Sequence, residues 1–172
     1  MAIMLLYCQV NVAGDILFLK RIPFFISISL HLKFGTVQCL ENCRVPTLVK
    51  AVRIIKKTYA LQGFNLAVIK MGPDLEPLRT GLADYNILLN ICAENEHVLE
   101  SERCIRTFKE RYRGTYSAIS FKRIPAVMVV SLVCADVFWL HVFPAPYSVP
   151  STFFPCAIVT GQTINFHKHC QI

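Results

Sequence analysis

Three apolar runs dominate the first forty residues: Val12 to Leu19, Pro23 to Leu32 and Phe34 to Leu40, broken only by Lys20-Arg21 and by Lys33. Runs rich in Ile, Phe, Val and Leu with such short punctuation predict three successive strands. Strands joined that tightly must be antiparallel, because a parallel return needs a long crossover. Beyond Pro46 the period changes. Leu48, Val49, Val52, Ile55 and Tyr59 recur at three- and four-residue steps, Lys50, Arg53, Lys56 and Lys57 lie between them, and Gly63 follows. This predicts an amphipathic helix with Pro in its first turn and a basic outer face. Asn65 to Met71 then predicts a strand, Pro77 to Tyr85 a short helix and Ile87 to Ala93 another strand. A long helix from about Glu96 to Ser117 carries the stripe Val98, Ile105, Phe108, Tyr112 and Tyr116, and the run Ile124 to Phe143 predicts one more helix. The order βββ-α-β-α-β-α-α is that of an α/β protein, a mixed sheet covered by helices.

Composition narrows the picture. The chain has 172 residues, 54% of them apolar and 17% charged, which excludes disorder and suits one domain. Without repeats, low-complexity runs or a Gly/Ser linker, it reads as a core over 1–145 and a C-terminal tail over 146–172. Pro125 to Phe143 approaches the length a bilayer requires. Asp136 and His141 interrupt that run, and Pro144 and Pro146 end it, so it reads as a buried helix. Ile16 to Leu32 contains Lys20, Arg21, Pro23 and a period-two pair, Ser27 and Ser29, which fits strands. The run Ala2 to Tyr7 is too short for a secretory signal and no basic residue precedes it, so the expected location is nuclear or cytoplasmic.

Eighteen Lys and Arg against eleven Asp and Glu give a net charge of +7. That balance suggests a polyanionic partner, nucleic acid or an acidic membrane surface, and charge alone does not choose between them. The eight cysteines lie scattered at 8, 39, 43, 92, 104, 134, 156 and 170. Cys39 with Cys43, and His167, His169 and Cys170, are the local clusters, and neither has the spacing of a closed zinc site. The cysteines therefore read as reduced thiols filling small apolar positions, with the His167/His169/Cys170 group as a metal candidate.

Acids are scarce enough for their positions to matter. Asp15 sits inside the first apolar strand, where a carboxylate is costly unless it reaches a rim, a partner or a metal. Asp74 and Glu76 follow the fourth strand, in the kind of loop where α/β sheets place functional groups. On the long helix, at about 100° per residue, Glu102 shares a face with Arg106, Lys109 and Arg113 at the border of the apolar stripe. A nuclease-like site could use that face, the acid for a metal and the cations for phosphates. The plainer alternative is a Glu102–Arg106 surface pair, of about 0.3–0.5 kcal/mol.

The segments RIPFFISISLHLKFGT (Arg21 to Thr36), MGPDLEPLR (Met71 to Arg79), ENEHVLESERCIRTFKER (Glu94 to Arg111) and the Ile124 to Pro144 run with FWLHVFP resemble, in order, the integrase core of copia-type retrotransposon polyproteins. The resemblance implies a ribonuclease H-like fold with a mixed five-stranded sheet. It also implies a polynucleotidyl transferase that holds a pair of divalent ions, Mg²⁺ or Mn²⁺, on three carboxylates. Two of these carry over onto Asp15 and Glu102. The family has an Asp directly after the Met of the fourth strand, and here that position is Gly72. Asp74, two residues on, is the available stand-in, although Pro73 between them bends the path. The expected protein is thus a degenerate copy, with neither a paired His/Cys zinc module upstream nor a complete C-terminal DNA-binding region. Its fold persists, its catalysis is impaired, and it binds DNA through Lys56, Lys57, Arg106, Lys109 and Arg113. Such cores also imply a homodimer through the helices at Arg44 to Leu61 and His97 to Ser117.

Two other readings stay open on the residues alone. A non-catalytic interaction domain on the same fold would tolerate Asp15→Ala and Glu102→Ala. A small membrane-associated protein built around Pro125 to Phe143 would pellet with membranes in carbonate.

Overall fold

The computed structural model describes residues 8–92, 99–121, 123–143 and 154–162. The chain begins with a hairpin. β1 (Gln9–Leu19) and β2 (Ile22–Ser29) pair antiparallel from Val12 against Ser29 to Leu19 against Ile22. Lys20 and Arg21 are left as a two-residue turn, both in the left-handed region with φ of 49° and 68°. Positive φ at both central residues matches the twist of hairpin strands, but the usual occupants are Asn and Gly. With larger L side chains the conformation costs roughly 1–2 kcal/mol per residue.

β3 (Gly35–Cys39) adds antiparallel to β2, and α1 (Val45–Ala60) carries the chain across to β4 (Asn65–Met71), which returns parallel to β1. A 3-10 helix (Pro73–Leu78) and the short α2 (Arg79–Ala83) lead to β5 (Leu88–Ile91), parallel to β4. The sheet order is β3-β2-β1-β4-β5. α3 (Leu99–Ala118), α4 (Ala126–His141) and α5 (Pro155–Thr160) complete the described residues.

Alternation along the strands divides the core in two. Val10 and Val12 of β1, Phe25 of β2 and Leu66 of β4 face α1, through its Leu48, Val52, Ile55 and Tyr59. Leu17 of β1 with Phe24 and Ile26 of β2 face the other way, against Phe108 and Tyr112 of α3 and Val129, Val133 and Val137 of α4. α5 falls within the 146–172 segment and sets Cys156 and Val159 into the α1-side core.

The expected strands and helices are present with shifted ends. The runs expected from Pro23 to Leu32 and from Phe34 to Leu40 stop and restart at a turn over residues 30–34, where Lys33 has φ of 54°. Ser29 Oγ accepts the Phe34 N–H at 2.9 Å, and Leu32 and Phe34 are buried as turn side chains. The period-two serines have a structural use: Ser27 Oγ lies 2.7 Å from Thr36 Oγ1, both buried on paired positions of β2 and β3. The short helix expected over Pro77 to Tyr85 is instead a 3-10 segment followed by α2. Pro77 has no N–H to continue the bonding of the first turn.

No helix among the described residues is long and apolar enough to cross a membrane. The two polar residues that interrupt the α4 run are both buried. Asp136 Oδ1 accepts a bond from Thr115 Oγ1 of α3 at 2.8 Å, but Asp136 Oδ2 and the Tyr112 hydroxyl are buried with no hydrogen-bond partner among the described residues. A buried carboxylate oxygen without a donor is destabilising. Asp136→Asn keeps the Thr115 bond and removes the charge. It is expected to stabilise the protein by about 1–2 kcal/mol, seen as a melting temperature higher by roughly 2–6 °C. An equal or lower melting temperature would contradict this account of the α3–α4 joint.

Candidate functional site

The carboxyl end of the parallel pair β1 and β4 gathers the chemistry. Asp15 belongs to the sheet face of Leu17, the face covered by α3 and α4. Its Oδ1 accepts the Ile16 N–H at 2.7 Å. The residue keeps contact with solvent, yet partial desolvation is the largest influence on its carboxyl and raises the pKa. The Ile16 N–H and the Lys109 ammonium pull it down, while the charges of Asp74 and Glu102 push it up again. Asp74, Glu102 and Lys109 therefore each lie within electrostatic reach of Asp15, although they come from a loop and a helix and it from a strand.

The topology explains the convergence. β4 runs parallel beside β1 with Ala13 opposite Lys70, so two further steps set Gly72 level with Asp15, one strand spacing away. Asp74 follows in the first turn of the 3-10 helix and is exposed. α3 crosses this sheet face on Phe108 and Tyr112, which leaves Glu102, Arg106, Lys109 and Arg113 exposed along its flank. Open sheets commonly bind ligands outside the carboxyl ends of their strands, where side chains of different elements meet.

Gly72 has φ of −70° and ψ of 164°, ordinary extended backbone. A Cβ added there would meet nothing within 4 Å. Neither conformation nor packing demands a glycine at the position where the copia-type pattern has its second acid. Glu76 is occupied elsewhere: Arg79 donates to its two oxygens at 2.6 and 2.9 Å, holding its carboxyl below the ordinary range, and also to the Leu89 carbonyl at 3.0 Å. The guanidinium, held by Glu76, thereby ties this turn to β5 through the Leu89 carbonyl.

The expected cations separate into two groups. Arg106, Lys109 and Arg113 flank the acids, whereas Lys56 and Lys57 ride on α1, which packs on the opposite face of the sheet. The Lys56 ammonium donates to the Tyr85 carbonyl. Charge pattern alone grouped all five, because a helix sequence shows which residues are solvated and not which side of a sheet it covers. Sequence reading also treated Lys20-Arg21 only as punctuation, although two adjacent cations in a two-residue hairpin turn were a legible signal.

The implied pair of divalent ions does not fit the side chains as they stand. No group of three or more His, Cys, Asp or Glu among the described residues is close enough to hold a metal ion, and Gly72 offers no carboxylate. His167, His169 and Cys170 lie outside the described residues. The cysteines do not in the main fill apolar positions as expected: Cys8, Cys39, Cys43 and Cys134 are exposed, Cys92 and Cys104 are half-buried, and among the described cysteines only Cys156 is buried, while burial pushes Cys104 up to about 11 against the weaker pull of Lys33.

No family model matches the chain, and no curated protein matches it. Among solved structures it is similar to the catalytic core domain of BIV integrase, with a TM-score of 0.65 and 8% identity over 88% of this chain and 93% of that one. At that identity the likeness is one of fold. The mixed five-stranded sheet flanked by helices is the ribonuclease H-like architecture of an integrase core.

Proposed function

We propose that the chain is an integrase-like core that binds DNA, descended from a copia-type polynucleotidyl transferase and impaired in catalysis by the loss of a carboxylate at Gly72. What supports the reading most is that the charges of Asp74, Glu102 and Lys109, from a loop and a helix, all act on Asp15 in β1, just past the last residues it pairs with β4. A site for in-line phosphoryl displacement needs several carboxylates around its ions, and here one position is empty of side chain. What survives is the cationic flank. Arg106, Lys109 and Arg113 can neutralise successive phosphates whatever the base sequence. The same reading expects the nucleus or cytoplasm as its location and a homodimer as its assembly.

Equilibrium binding to a labelled DNA duplex across a salt series tests it. The three phosphate contacts of α3 contribute about −2.7 to the logarithmic slope, hence a loss of at least roughly 40-fold between about 50 and about 200 mM salt. Arg106→Gln and Arg113→Gln are each expected to reduce the slope by about 0.9, while Glu102→Ala leaves binding intact. Salt-independent binding would sink the DNA assignment. Metal-dependent strand cleavage by the natural chain that Glu102→Ala abolishes would overturn the impairment.

A further inference from the structure

The β1–β2 turn bears on how far the binding surface extends, an inference that rests on the nucleic-acid reading above. Lys20 and Arg21 hold left-handed backbone without a glycine between them. Strained conformations of this kind persist where the surroundings hold them and are often found at functional positions. The holding contact is visible: the Lys20 ammonium sits over the Tyr116 ring, 4.4 Å from its centroid. Cations at that distance are attracted by the face of an aromatic ring.

Tyr116 is the last rung of an aromatic ladder on α3. Its ring centroid is 5.9 Å from that of Tyr112, which in turn is 6.5 Å from Phe108. On the helix, Lys109 and Arg113 border this ladder on the side of Tyr116, with Arg106 beyond them. The turn therefore meets α3 on the flank that carries the cations. Toward one end of this flank, Lys109 lies within electrostatic reach of Asp15. Lys20 marks the other, five strand residues from Asp15 or about 16 Å away, the rise of about five base pairs of duplex. Arg21 is exposed at the tip.

We propose that Lys20, docked on Tyr116, fixes the Lys20-Arg21 turn as the outer end of a phosphate-binding track that begins at Lys109, and that Arg21 makes its terminal contact with the phosphodiester backbone. Lys20 and Tyr116 are positioning residues and Arg21 is the binding residue. The track needs no base recognition, since its groups are cations spaced along a backbone.

The test is the salt dependence of binding by the full chain to a labelled duplex, with Arg106→Gln as reference. Arg21→Gln is expected to reduce the slope by about 0.9 and weaken binding roughly eightfold at about 0.1 M salt, equally for unrelated sequences. Tyr116→Phe retains the ring and is expected to keep the natural slope. Tyr116→Leu removes it and is expected to behave like Arg21→Gln. Arg21→Gly separates binding from folding, because it relieves the left-handed strain and raises the melting temperature while it lowers the slope. If Arg106→Gln lowers the slope and neither Arg21 variant does, the track ends before the turn and the inference is overturned, while the DNA reading stands. If the natural chain shows no salt-dependent binding, both fall. Should Tyr116→Leu not fold, the exposed Arg21 still decides.

Discussion

Gly72→Asp is expected to turn a chain indifferent to divalent cations into one that they stabilise. The backbone at Gly72 suits any L residue and the space around an added Cβ is open. Carried two residues past its last pair, Ala13 with Lys70, the register of β1 and β4 brings the new carboxylate level with Asp15. As the residue preceding the 3-10 helix, an Asp there also caps it slightly better than Gly, by a few tenths of a kcal/mol at about that order. Without metal, the added charge would crowd Asp15, whose carboxyl is already raised chiefly by partial burial and further by the charges of Asp74 and Glu102. With Mn²⁺ or Mg²⁺ at about 100 times its Kd, binding to the folded state alone contributes about 2.7 kcal/mol, a rise in melting temperature of roughly 5–10 °C for a chain of this size. Melting curves of both proteins in Mn²⁺, in Mg²⁺ and in chelator measure it directly. Strand cleavage of a labelled duplex by the variant would show that one position had carried the loss. A natural chain stabilised by Mn²⁺ to the same degree would mean that Asp74 already completes the site. A variant that folds and ignores both ions would mean that the acids no longer converge closely enough for one substitution to rescue them.

Acid is expected to unfold this protein earlier than its carboxylates alone would dictate, because of His141. The ring is buried at the end of α4, edge-on to Phe34 with centroids 5.9 Å apart, and a Cβ at Gly35 would collide with it. Burial is the main cause that lowers its pKa from 6.5 to about 4, and a backbone hydrogen bond with Lys33 opposes the shift. Between about 4 and 6.5 the unfolded chain therefore takes up a proton that the folded chain refuses. Stability on this account is complete above 6.5 and falls as the pH drops towards about 4. The loss is on the order of 3 kcal/mol. Asp15 works in the opposite sense, since its raised pKa means that protonation relieves the folded state. Denaturant melts at a series of pH values, with His141→Phe beside the natural chain, isolate the imidazole. The variant is expected to show a flatter profile across that window, and superimposable profiles would remove His141 as the cause. Gly35→Ala is expected to destabilise at every pH, because it displaces the ring without altering its titration in the unfolded chain.

Local periodicity was enough to reveal most elements of this protein. Asn65 to Met71 alternates as a strand and is β4 residue for residue, and the three- and four-residue spacing from Leu48 to Tyr59 marks the buried face of α1. These signals are legible because a strand or helix exposes its period in consecutive side chains. Tight spacing likewise determined that β1, β2 and β3 are antiparallel. Asp15 stood out as an acid inside an apolar strand, Glu102 as an acid sharing a helix face with Arg106, Lys109 and Arg113, and Gly72 as the departure from the copia-type pattern. The tertiary structure decided the rest. It placed β4 beside β1, which brings Asp74 and the open position at Gly72 to Asp15, because only packing on both faces of the sheet fixes strand order. It set α1 and α3 on opposite faces and so parted Lys56 and Lys57 from Arg106, Lys109 and Arg113. It gave Asp136 its Thr115 and Lys20 its Tyr116, contacts between residues 21 and 96 positions apart, which no local period could encode.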